Sequence, residues 1–396
     1  MIIVSRQERP PRHTTQISTP RAALLVLSCC AALVAGCASN SSTNVSTGLL
    51  PAEDWPPRIT DGLEQIAANT PDVLVHSPAT AAKTDDDESI EPGTPAATVK
   101  NRAVLGLGIV LEIAEIQPDK TPPPADETEL VFVSFSPLTH DPDNPPKAIS
   151  YDDVVANVHW TLYDAQTENT HGLVVHLGGN KYVRRKLRAD GWAVLSSSGT
   201  GRYFARRETP EKYEVVVGTD NREVAAQIAK VFDDELADWP YALEAVLDYI
   251  AQRRPDIPQK PAVLMGFSIG ALGMPAVAAR MPDRFAGAVV VAGGANLLQI
   301  ASLSSKANPG VEFDWTGGEP AAEDWDPLFT AYLEASKLDP AKTAVALVDR
   351  PLLMFQAHFD QVVPTKTGDL LWERLGRPKR SEYPAVSYTH LRAHET

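Results

Sequence analysis

The chain has 396 residues, 43% hydrophobic and 22% charged, which is ordinary globular composition and enough length for one large domain or two modest ones. Lys and Arg number 36 against 51 Asp and Glu, giving a formal charge of -15; no basic surplus remains to neutralise phosphates, and nucleic acid is not an expected partner. The three cysteines, Cys29, Cys30 and Cys37, all lie near the N-terminus, so the rest of the chain has no thiol for a disulfide, a thiolate metal site or a cysteine nucleophile.

Arg6, Arg9, Arg12 and Arg21 precede an apolar run from Ala22 to Ala35, the pattern of an export signal over residues 1–36. The run is too short to span a bilayer as a stable helix. Leu33-Val34-Ala35-Gly36-Cys37 resembles the lipobox of bacterial lipoproteins. The resemblance implies cleavage before Cys37, acylation of that cysteine and attachment to a membrane; the alternative is an ordinary signal peptide with an incidental cysteine. Ala38 follows instead of an acidic residue. By resemblance to lipoprotein sorting in Gram-negative bacteria, that places the protein on the outer membrane, facing the periplasm.

Residues 37–100 are rich in Ser, Thr, Pro, Ala and Asp and are expected to form a disordered tether, with a short helical segment at Ile59 to Ala68. Asp85-Asp86-Asp87-Glu88 reads as solvated charge, because no EF-hand glycine or distal glutamate accompanies it. No metal or cofactor is expected.

Beyond the tether, Val104 to Ile116, Leu130 to Phe135 and Val158 to Tyr163 read as opening antiparallel strands separated by turn-rich loops. Leu173 to Leu177, Trp192 to Ser196, Ala262 to Met265, Ala288 to Ala292 and Leu352 to Gln356 are short apolar runs, as in a parallel sheet buried on both faces. Glu223 to Arg253 reads as two amphipathic crossover helices broken near Pro240.

The chemistry-bearing motif ends one of these strands. Pro261 to Met265 leads into Gly266-Phe267-Ser268-Ile269-Gly270, followed by an alanine-rich stretch to Arg280. A serine on a sharp strand-to-helix turn needs small residues on both sides, and strand, G-x-S-x-G, helix is the context of a nucleophile elbow. With these residues the chain resembles the α/β-hydrolase family over residues 101–384, which implies a mostly parallel central sheet flanked by helices and a Ser, Asp, His order of catalytic residues. Ser268 would be the nucleophile. His171 to Asn180 resembles the family's strand and oxyanion loop, so the donors would be the amides of Ile269 and Gly179; the alternative for Gly178-Gly179 is a plain tight turn. His176 is read as a structural or loop-orienting histidine.

Downstream, Pro351 to Pro364 resembles the segment that delivers the acid, and Asp360 is the candidate, against the alternative of a capping or exposed aspartate. His358 is set aside because a histidine so close in sequence would point away from its acid. Residues 297–349 form an insertion, either a lid or extra packing on the rim. After Ser381-Glu382-Tyr383-Pro384 the family's base is expected, yet the run Ser387 to Thr396 resembles translated adapter sequence. Residues 385–396 are therefore expected to be a non-native tail on a truncated C-terminus, and His390 is the nearest substitute base. The expected activity is acyl transfer to water on a small-molecule ester. The alternative is a non-catalytic surface lipoprotein that uses the fold to bind a ligand or partner.

Overall fold

The computed structural model describes residues 50–76, 95–115, 124–141, 143–156, 158–178, 180–197, 211–258, 262–304, 311–318 and 320–383. Cys37, Gly179, His390 and the tail from 385 lie outside them.

An antiparallel meander opens the sheet: β1 (Val73–Val75), β2 (Pro95–Leu105), β3 (Gly108–Glu115), β4 (Glu127–Val133) and β5 (Val158–Tyr163) pair in succession. Next come β6 (Gly172–Leu177), β7 (Trp192–Ser197), β8 (Glu211–Val216), β9 (Ala262–Phe267), β10 (Phe285–Val291), β11 (Val311–Thr316), β12 (Leu352–Ala357) and β13 (Lys379–Tyr383). The main sheet runs β1-β2-β3-β4-β5-β7-β6-β9-β10-β12-β13 and is parallel from β7 to β13. Strands β6, β7 and β9 are buried along their whole length, which explains why they read as largely apolar runs, with His176 in β6 and Ser196 and Ser197 in β7 the buried polar exceptions.

The expected strand from Val104 to Ile116 is instead a hairpin, with Gly106 at φ 60 in the turn between β2 and β3. Apolar residues continue across the turn and conceal it from a periodicity count. Strands β8 and β11, which pair in a separate parallel ribbon, and β13 were not among the expected strands.

The helices are α1 (Leu63–Asn69), α2 (Tyr151–Ala156), α3 (Lys181–Ala189), α4 (Arg222–Arg253), α5 (Ile269–Arg280), α6 (Leu297–Leu303), α7 (Ala322–Ala335), α8 (Pro340–Thr343) and α9 (Thr365–Arg374). The expected break near Pro240 is absent, and α4 is one helix of 32 residues. An internal proline costs about 3 kcal/mol. Burial of Phe232, Leu236, Trp239, Leu243, Val246 and Ile250 along α4 offsets it. Trp239 lies on α5 at Gly273, where a Cβ would come within 2.3 Å of the indole.

At 1.5 Å per residue α4 is roughly 48 Å long, against roughly 20 Å for a six-residue strand. Its C-terminal end feeds β9, so its N-terminal half rises past the carboxyl ends of the parallel strands. There α7 packs on it, with Tyr332 against Phe232 at 5.8 Å between ring centroids, and Asp233 accepts from Ser336 Oγ at 2.6 Å and Lys337 N at 2.7 Å. Helix α7, within the 297–349 insertion, is thus held on α4 at the rim of the molecule.

Residues 37–100 are not a tether throughout. Helix α1 buries Leu63 and Ile66, and β1 and β2 extend the sheet. Arg58 inserts its side chain beside α4, donating to Asp234 Oδ1 at 2.5 Å and Asp238 Oδ1 at 2.8 Å. Polar composition hides this docking because the contact is ionic and few residues carry it.

Candidate active site

Ser268 joins β9 to α5 with φ 50 and ψ -118, a conformation disfavoured for a side-chain-bearing residue by about 1–3 kcal/mol. The turn is held from both sides. Ser268 N–H donates to Val291 O of β10 at 2.9 Å, and Ser268 O accepts from Ala271 N at 2.8 Å. A Cβ at Gly266 would come within 2.8 Å of Ala271 Cα, and one at Gly270 within 2.2 Å of Leu177 O. These contacts are why both flanking positions are glycine.

The loop after β6 lies directly on the elbow. Gly178 has φ +80, and a Cβ there would fall 2.3 Å from Phe267 O and 3.1 Å from Gly270 N. Its own N–H donates to Ser197 Oγ at 3.3 Å. Asn180 then caps α3, its side chain accepting from Tyr182 N at 2.9 Å and Val183 N at 3.2 Å.

His176 sits beneath this loop, fully buried, with its ring against Phe267 at 5.1 Å. Its Nε2 accepts from Asn180 N at 3.4 Å, which places the ring proton on Nδ1, 3.3 Å from Ser196 Oγ. Burial, reinforced by nearby Arg184, depresses its pKa to about 3. It is therefore a neutral spacer that ties β6, β7 and the loop together.

Asp360 follows β12 and is 8% exposed. Its Oδ1 accepts from Val362 N at 2.8 Å and Val363 N at 3.0 Å, and no described residue donates to Oδ2. Burial raises its pKa, against those two amides. His358 pairs with Glu382, at 3.8 Å, and stacks edge-on with Phe359, its side chain 54% exposed.

Strands β9 and β12 are separated only by β10, which puts their carboxyl ends roughly 10 Å apart. That gap suits an imidazole bridging the hydroxyl and the carboxylate. Gly293 and Gly294, after β10, close it. A Cβ at Gly293 would come within 3.0 Å of Ala271 Cβ, and one at Gly294 within 2.7 Å of Val363 Cγ1, so this loop seats the elbow helix against the loop that carries Asp360.

Asp339 was also missed. Fully buried, it accepts from Asn296 N at 2.9 Å, Leu297 N at 2.8 Å and Ala341 N at 2.8 Å, capping α6 and α8 together. The Asp339-Pro340 pair was its sequence signal, since Asp before Pro is a helix start.

The profile of the prolyl oligopeptidase family matches residues 240–390, which include Ser268 and Asp360. The strand order around them decides the architecture. The fold is that of an α/β-hydrolase. Solved structures similar to the chain include an acylaminoacyl peptidase of Pyrococcus horikoshii, 12% identical, covering 77% of this chain and 48% of that one with a TM-score of 0.39. An acetyl xylan esterase from Thermoanaerobacterium sp. is 13% identical and covers 87% of this chain and 97% of that one, TM-score 0.39. Est1E from Butyrivibrio proteoclasticus is 16% identical over 60% of this chain and 90% of that one, TM-score 0.36. The chain spans about half the length of the acylaminoacyl peptidase chains it matches. No curated protein matches it.

Proposed function

We propose that this α/β-hydrolase fold carries a serine hydrolase that cleaves carboxylic esters through an acyl-enzyme at Ser268. The observation that carries the reading is the strained elbow: a serine held at φ 50 at the head of a helix, with a glycine loop pressed against it. Strain of this kind persists where the surrounding structure over-determines it, as in a turn built to present a serine hydroxyl above a sheet.

Ser268 Oγ attacks the carbonyl carbon while a histidine takes its proton, and Asp360 orients that histidine and stabilises its charge. The base comes from the segment after β13, with His390 the candidate in this chain. The oxyanion receives the amide of Ile269, which heads α5 and has no acceptor within its own helix. The second donor falls to Gly179, since Gly178 N–H is engaged by Ser197. The imidazolium then protonates the leaving oxygen, and water releases the acid by the reverse sequence.

The exported protein is held by acylated Cys37 on the outer membrane, facing the periplasm, and its substrate is a small-molecule ester. The lipobox pattern supports the anchor. Cys37→Ala is expected to move the protein from the membrane to the soluble fraction; a wild type that is already soluble, with an unmodified N-terminus elsewhere, rejects the anchor.

Labelling with a fluorophosphonate probe tests the chemistry. Wild type is expected to react and Ser268→Ala to remain unlabelled. Persistent labelling of Ser268→Ala places the nucleophile elsewhere. A panel of esters beside short peptides then reads the substrate class, and hydrolysis of peptides alone rejects the ester assignment.

A further inference from the structure

Helix α3 starts from the glycine loop that lies on the Ser268 turn, with Asn180 as its cap. It carries Lys181, Arg184, Arg185, Lys186 and Arg188 and no acid, in a chain whose formal charge is -15. Its residues divide by face. Val183 and Leu187 pack against one face of the sheet with Val174, Val194 and Val263. Arg184 and Arg188 lie over the Tyr163 ring at 4.1 and 5.2 Å, and Arg188 pairs with Asp126. Lys181, Tyr182, Arg185, Lys186 and Ala189 are exposed, and at about 100° per residue they fill one continuous arc of roughly 140°.

Among the described residues no acid pairs with Lys181, Arg185 or Lys186, and Asp190, the nearest acid in sequence, lies just past the helix end. Helix energetics do not account for the arrangement. Lys181 and Arg185 are like charges four residues apart, and Lys181 sits in the first turn, where the helix dipole disfavours a cation. A cationic arc that also carries an amphipathic aromatic suits a helix lying on an anionic bilayer surface. A nucleic acid would meet the negative remainder of the chain as well, whereas a flat bilayer meets the arc. The chain from Cys37 to Leu50, which packs on the body, can span at most roughly 45 Å. An acyl group on Cys37 would therefore keep the body beside a bilayer, where weak docking is populated.

We propose that the exposed arc of α3 is a docking surface for the anionic headgroups of a phospholipid bilayer. The choice of a bilayer as partner rests on the acylated Cys37 of the proposed function. Docking through this arc brings the loop over the Ser268 turn beside the membrane surface.

Lysine footprinting of the full-length protein tests the proposal. The protein is combined with vesicles of phosphatidylglycerol or of phosphatidylcholine and acetylated with an amine-reactive reagent, and the rate at each lysine is read by mass spectrometry. Lys181 and Lys186 are expected to react about threefold or more slowly on phosphatidylglycerol, with Lys212 and Lys366, exposed on other elements, unchanged. The protection should vanish at 1 M salt, where the screening length falls to about 3 Å. Arg185→Gln keeps both reporter lysines and should raise the vesicle concentration needed for half-protection about fivefold, the contribution of one cation near an anionic surface. Equal rates on the two lipids, or slowing shared by every lysine, overturns the proposal. Protection by soluble polygalacturonate but not by vesicles overturns it in favour of an acidic polysaccharide, and protection by free glycerol phosphate alone overturns it in favour of a soluble ligand. A Cys37 without an acyl group rejects the anchor instead, and the footprint on added vesicles still decides the docking.

Discussion

Gly178 and Phe267 meet backbone to backbone: a Cβ on the glycine would sit 2.3 Å from the Phe267 carbonyl oxygen, and the glycine is at φ +80 besides. Gly178→Ala must therefore lift the loop off the elbow or strain both. The expected result is a folded protein with kcat reduced on the order of 10²-fold or more, the scale of losing one oxyanion donor, and KM little changed. Steady-state kinetics on an ester substrate check it.

Ser268→Gly should make the protein more stable while abolishing turnover. The backbone angles of Ser268 are comfortable only for glycine, so the substitution relieves strain at a small cost in unfolded-chain entropy. A rise of about 1 kcal/mol in unfolding free energy, read as a higher Tm, is the expected outcome. A fall in Tm would mean that the elbow is not strained.

His176 gives stability a definite pH dependence. Its folded pKa is depressed to about 3 from 6.5, so the folded state keeps the ring neutral while the unfolded chain takes up a proton below pH 6.5. The contribution is fully present above that pH and is lost as pH falls toward 3, by about 1.4 kcal/mol per unit. Urea unfolding at pH 7 and pH 5 should show the loss, and His176→Asn should reduce the difference.

Arg58 is the ionic clasp of the N-terminal segment. Removing it by Arg58→Ala leaves Asp234 and Asp238 buried beside α4 without their cation, and the expected cost is about 3–5 kcal/mol. Denaturant unfolding measures it. An equally stable Arg58→Met protein would show instead that the pair contributes specificity and not stability.

The parts of the fold that were legible in the sequence are those whose signal is local. Strands β6, β7, β9, β10 and β12 announce themselves because burial on both faces demands mostly apolar residues, and the elbow because its turn demands glycine at 266 and 270. The rest depends on distant partners. Nothing near Pro240 reveals that the packing of Trp239 over Gly273 would carry α4 through the proline. Nothing near Arg58 reveals two aspartates 176 and 180 residues away. In the site, Gly293-Gly294 looks like any glycine turn until Ala271 and Val363 are seen to close on it.

Helix α4 joins three separate parts of the molecule: the N-terminal segment through Arg58, the rim through Asp233, and the elbow helix through Trp239. A part shared in this way cannot melt piecemeal. The rim, though it looks like an appendage in sequence, should not be removable by deletion, and chemical unfolding should show a single transition in which rim tryptophans such as Trp325 lose their packing together with the sheet. Protease should likewise find no stage at which the rim is open and the body intact.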